Sequence, residues 1–110
     1  MKNSRIIKKN YEFEKIITKK NFLKNQSFVI YSIKNNENIL KYGISVSKKN
    51  WKAWERNKIK RQVRSIIWEY IKTSENHSVD IIVMVRKEFE KKSFNENTNE
   101  FIKLVNKLRK

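Results

Sequence analysis

The chain has 110 residues, 27 of them Lys or Arg against 11 Asp or Glu, for a formal net charge of +16. The lack of cysteine and the single histidine, His77, exclude a disulfide scaffold, thiolate or multi-His metal sites and a Cys nucleophile. No apolar run approaches the roughly 20 residues of a membrane span, and Met1–Lys9 lacks the apolar core of a secretory signal. The expectation is a soluble, cytoplasmic protein forming one compact domain over residues 1–110, with no membrane partner.

Self-repulsion at this charge opposes compaction, and a polyanion is the usual reason for it. Codon bias in an AT-rich genome would also raise Lys, Asn and Ile, but it would not cluster Arg. Nucleic acid is therefore the expected partner.

With no Pro and one Gly, Gly43, boundaries must come from periodicity and polar runs. Asn10 is placed as the cap of a first helix reaching about Lys19, with Phe13, Ile16 and Ile17 as its apolar face. Ser27–Ile33, aromatic and β-branched, reads as a strand, and the polar run Lys34–Asn38 as a turn. Tyr42–Ser47 alternates and reads as a second strand, expected to pair with the first as a hairpin. A long helical pattern covers about Ala53 to Lys72. Val79–Val85, apolar at every position but Asp80, has the character of a buried central strand. From about Glu96 to Lys110, Phe101, Ile102, Val105 and Leu108 recur at helical spacing. The order α-β-β-α-β-α predicts an α+β, two-layer sandwich with a small mixed sheet and a β-α-β crossover between parallel neighbours.

The densest signal is Arg56-Asn57-Lys58-Ile59-Lys60-Arg61-Gln62-Val63-Arg64. On a helix, Ile59, Val63, Ile66, Ile67 and Tyr70 form one buried stripe, while Asn57, Arg61, Arg64 and Trp68 recur on the opposite side. Arg56 and Lys60 lie on a flank between the two faces. No acid occurs between Glu55 and Glu69, a window with three Arg and two Lys, whereas a merely solvated face interleaves Glu with Lys. Arg grips phosphate oxygens with a rigid planar fork, and Trp68 on this stripe suits base stacking. Just upstream, Lys48-Lys49-Asn50-Trp51-Lys52-Ala53-Trp54 is a basic connection. Its two tryptophans suit either base stacking or the edge of the core.

Ser45-Val46-Ser47-Lys48-Lys49, then Ala53, then Arg56-Asn57-Lys58-Ile59-Lys60-Arg61 with Arg64, resembles the signature of the bacterial ribonuclease P protein subunit. Lys8-Lys9-Asn10 with Phe13 resembles that family's N-terminal helix, and Phe28-Val29-Ile30-Tyr31 its first strand. The resemblance implies a fold like domain 2 of ribosomal protein S5, with a left-handed crossover where general statistics favour a right-handed one. It implies that Arg56, Asn57, Lys58, Lys60, Arg61 and Arg64, with Lys48 and Lys49, bind the catalytic RNA subunit. It implies too that Phe13, Tyr31 and the position of Ile17, with Arg56 and Lys60 in reach, hold the single-stranded 5′ leader of precursor tRNA. This chain departs from the pattern in three places. Trp51 stands where the connection has glycine, Lys52 where it has asparagine, and Ile17 where a second aromatic often stands.

A metal-dependent protein nuclease needs several converging carboxylates. Here Asp80 is the one aspartate, Glu12/Glu14 and Glu88/Glu90 are i, i+2 pairs that diverge on a helix, and His77 lies in a polar turn. No catalytic or metal-binding residue is therefore expected in the protein. The resemblance implies a non-catalytic subunit of a ribonucleoprotein endoribonuclease. It binds no cofactor of its own and requires no protein partner, with Mg2+ acting at the RNA active site. The alternative is a structural RNA-binding protein, such as a ribosomal component, of similar size and charge.

Overall fold

The computed structural model describes residues 6–73 and 78–108. Helix α1 is Asn10–Thr18, followed by strands β1 (Phe22–Lys24), β2 (Phe28–Lys34) and β3 (Leu40–Ser45). Helix α2 (Ala53–Thr73), strand β4 (Val79–Val85), a 3-10 helix (Lys87–Lys91) and helix α3 (Phe94–Leu108) complete the order. His77 and the last two residues of the expected C-terminal helix lie outside the described residues.

The four strands lie in the order β1-β2-β4-β3. β4 pairs antiparallel with β2, from Phe28 opposite Val85 to Lys34 opposite Val79, and parallel with β3. The β3-α2-β4 segment is thus the expected crossover between parallel neighbours. The expected hairpin between the Ser27–Ile33 and Tyr42–Ser47 segments does not form, because β4 lies between them. The physical reason is burial on both faces. Ile81, Ile82 and Val83 are each 0% exposed, which only a central position provides. The polar turn joins β4 rather than closing a hairpin: Asn35 N–H donates to Ser78 O at 2.9 Å, and Asn35 Nδ2 donates to Asp80 Oδ1 at 2.6 Å.

Alternation divides the sheet into two surfaces. Phe28, Ile30, Leu40, Tyr42, Ile81, Val83 and Val85 face α2 and α3, which contribute Ile59, Val63, Ile66, Ile67, Tyr70, Phe101, Leu104 and Val105. The predicted buried stripe of the long helix is therefore the stripe that packs. On the other surface α1 lays Ile16 against Ile7 and Ile82, with Phe13, Tyr31, Ile33 and Met84 packed around them.

Two helix starts differ from the sequence reading. Lys9, not Asn10, is the N-cap of α1, since Glu12 and Phe13 N–H both donate to Lys9 O. Helix α3 begins at Phe94 through a reciprocal cap, in which Ser93 N–H donates to Glu96 Oε1 and Glu96 N–H to Ser93 Oγ. That acceptor role holds the Glu96 carboxyl below the ordinary glutamate range. Asn97, 2% exposed, ties α3 inward: it accepts from Ser27 Oγ at 2.7 Å and donates to Phe89 O at 3.0 Å.

Candidate nucleic-acid interface

The connection from β3 to α2 is organised around Trp51. Its ring is 4% exposed and its indole N–H donates to Glu90 Oε2 at 3.1 Å. Of the two roles open to it, the structure assigns Trp51 to the core, so it presents no face to a base. Trp54 is not in the core: it is 64% exposed. It lines a cavity of about 200 Å³ with Lys58, Gln62, Lys92 and the exposed Phe94. Lys48 and Lys49 are exposed on this connection.

Two backbone donors of this connection are already engaged. Lys49 N–H donates to Ser47 Oγ, and Lys52 N–H donates to Glu55 Oε1 at 2.8 Å. Arg56 Nη1 donates to Trp51 O at 2.9 Å, which locks the buried tryptophan to the first turn of α2.

Along α2, Asn57, Lys58 and Arg61 are exposed, and Arg56, Lys60 and Arg64 are half-buried. The ion pairs among the described residues are Lys41–Glu37, Lys72–Glu69 and Lys91–Glu88. None of them neutralises a cation between residues 56 and 64. Arg64 Nε is buried with no hydrogen-bond partner among the described residues. One helix therefore displays guanidinium and ammonium groups that no described carboxylate neutralises, as an anionic surface requires. Trp68 lines a groove with Arg61, Arg64, Ser65, Glu69 and Lys72. Its ring is half-buried and its N–H donates to Tyr42 Oη at 3.0 Å, so it is tied to the core more firmly than a free platform.

The second group of predicted residues lies on the α1 side of the sheet. Phe13 and Tyr31 share one cluster. Ile17 is half-buried beside it on α1, without a π face to offer. Arg56 and Lys60 stand on α2, which packs against β3 and α3, whereas α1 packs against β2 and β4. The structure thus brings Phe13 and Tyr31 together and leaves the two cations on a separate element. Sequence reasoning missed Phe22. It sits opposite Tyr31 in the β1–β2 ladder, with ring centroids 5.1 Å apart and planes at 36°. On the same surface Lys41 is held above its ordinary range by its hydrogen bond to Glu37.

Three of the acidic residues have structural partners: Asp80 accepts from Asn35, Glu90 from Trp51 and Glu55 from Lys52. Among the described residues no group of three or more His, Asp or Glu is placed to hold a metal ion. No helix among them is long and apolar enough to cross a membrane.

The sequence matches the Ribonuclease P family over residues 1–109. It is 49% identical over 105 residues to the ribonuclease P protein component of Mesoplasma florum, covering 96% of each chain. It is 44% identical to that of Mycoplasma mycoides subsp. mycoides, covering 99% of this chain and 100% of the relative. Among solved structures, a Staphylococcus aureus RNase P protein mutant superposes with a TM-score of 0.84 at 32% identity, covering 96% of this chain and 89% of that one. The RNase P protein from Thermotoga maritima superposes with a TM-score of 0.79 at 31% identity, over 89% of this chain and 92% of that one. Agreement in sequence along almost the whole chain, and in fold with solved members, has one meaning: the chain belongs to the ribonuclease P protein family and is a protein subunit of ribonuclease P.

Proposed function

We propose that the chain assists the catalytic RNA in removing the 5′ leader of precursor tRNA in the cytoplasm, as a single RNA-binding domain with two surfaces. The first is the outer face of α2, where Arg56, Asn57, Lys58, Lys60, Arg61 and Arg64, with Lys48 and Lys49, grip phosphates of the RNA subunit. The second is the α1 face of the sheet, where Phe13 and Tyr31, flanked by Ile17, receive the single-stranded leader. The observation that carries this reading is the run of α2 cations with no ion-pair partner among the described residues. Aromatic faces near cations suit a single strand with little sequence constraint.

Bond cleavage is assigned to Mg2+ held by the RNA, which supplies the activated water. The protein's residues bind, orient and neutralise charge. Screening phosphate repulsion is work that magnesium also does, so the protein's effect is greatest when magnesium is scarce.

The test is precursor-tRNA cleavage with the RNA subunit across a magnesium titration, with and without the protein. The expected result is a large gain at low magnesium that shrinks as magnesium rises, with no cleavage by protein alone. An unchanged titration curve overturns the reading.

A further inference from the structure

We infer that Phe22 is a second stacking platform, continuous with Tyr31, that receives one further leader nucleotide at the β1 edge of the sheet. The inference rests on the reading of this face as the leader site.

β1 is three residues long, and its middle residue, Leu23, packs against the main core. Phe22 and Lys24 therefore point to the opposite surface, the one that carries Phe13 and Tyr31. Phe22 is paired directly with Tyr31, and Lys24 with Val29. Phe22 is 43% exposed, one of the few large apolar side chains left so far in water. A ring needed only to fill the core would be covered, as Phe28 and Phe101 are on the other side. β1 is also the outermost strand on its side of the sheet. A polynucleotide crossing Tyr31 meets Phe22 next, and then the exposed ammonium of Lys24.

The geometry of the pair suits this use. With centroids 5.1 Å apart and planes at 36° the two rings are tilted against each other, and the 43% of Phe22 left in water is apolar ring surface on which a base can stack. Every base has a π face, so stacking tolerates any leader sequence. The same surface has an aliphatic residue, Ile17, on α1. Its aromatic capacity is thus set by Phe13, Tyr31 and Phe22, and extends towards β1.

The experiment uses holoenzyme reconstituted with the RNA subunit and a set of precursors whose leaders lengthen one nucleotide at a time. Affinity is measured at fixed magnesium and salt for the unaltered protein, Phe22→Ala, Phe22→Leu, Phe22→Tyr and Tyr31→Ala. Phe22→Leu keeps an apolar cover over Tyr31 but has no π face. The expected result is a loss of about tenfold for Phe22→Ala and Phe22→Leu, confined to leaders long enough to reach the β1 edge. Affinity then stops rising one nucleotide earlier, mature tRNA binds as before, and Phe22→Tyr is unaffected. Equal weakening at every leader length, or full affinity in Phe22→Leu, overturns the inference by giving Phe22 a structural role alone. If Tyr31→Ala alters the leader dependence and Phe22→Ala does not, the inference falls and the leader site stands. If neither variant alters it, both fall.

Discussion

The ring of Phe13 occupies the space into which a side chain at position 43 would grow. A Cβ on Gly43 would stand 2.6 Å from Phe13 Cζ and 3.0 Å from Ile82 Cδ1. No glycine among the described residues has a positive φ, so Gly43 is required by space and not by backbone angle. Gly43→Ala must therefore shift the half-buried Phe13 ring outward. The expected cost is about 1–3 kcal/mol, the usual range for overpacking, read by urea denaturation. On the proposed leader face the same variant should weaken precursor binding and leave affinity for the RNA subunit unchanged.

The two proposed surfaces separate under salt. Arg61→Ala combined with Arg64→Ala should weaken RNA-subunit binding and flatten its dependence on log[salt], by about one slope unit for each phosphate no longer gripped. Tyr31→Ala should reduce precursor binding while mature tRNA binds nearly as before. Filter binding across a salt series checks both. Identical behaviour of the two variants would mean one surface, not two.

Trp51 links the start of α2 to the 3-10 helix through Glu90, and to Arg56 through its carbonyl oxygen. Trp51→Ala should cost about 3–5 kcal/mol, as large-to-small changes of buried aromatics do. Trp51→Phe should cost less, roughly 1 kcal/mol for the missing hydrogen bond. Thermal melting distinguishes them. Trp51→Ala keeps the carbonyl that anchors Arg56 but frees that backbone to shift, so RNA-subunit binding should also weaken at temperatures where the protein is still folded.

Glu96 makes stability depend on acid. Its folded pKa is depressed by the Ser93 amide and hydroxyl. A depressed carboxyl stabilises the fold fully above its unfolded pKa, about 4.3 for Glu, and loses that contribution as pH falls through the lower folded value. Glu96→Gln keeps an acceptor for Ser93 N–H but does not titrate. Its stability should therefore fall less steeply than that of the unaltered protein below about pH 4.3, as chemical denaturation at successive pH values would show.

The elements most legible in the sequence are those whose residue pattern allows one environment. Val79–Val85 reads with its observed bounds because a run apolar at every position but Asp80 is buried on both faces at its centre. The stripe Ile59, Val63, Ile66, Ile67 and Tyr70 is buried as its spacing requires. The hairpin reading fails because adjacency in sequence carries no information about a later strand inserting between two earlier ones. β1 escapes notice because three residues show no periodicity. The start of α3 is written in Ser93-x-x-Glu96 but is masked by the polar residues after Phe94. In the candidate site, the basic face of α2 is visible in composition, since absent acids are a local property. The burial of Trp51 and the pairing of Phe22 with Tyr31 depend on which strands meet, and register becomes visible only in the folded sheet.

The place of β4 also decides when this protein can fold. Until residues 79–85 are added, β2 has, among the described residues, only the three-residue β1 beside it, and β3 only the bridge at Ile6. Pairings such as Phe28 with Val85 close long stretches of chain, an entropic cost that precedes any reward. During synthesis the basic helix is therefore complete before the sheet that must hold it. A ribosome stalled or a chain cut anywhere before Val85 removes the middle of the sheet, not an edge. The nascent chain then carries the arginines of α2 with no folded surface to aim them.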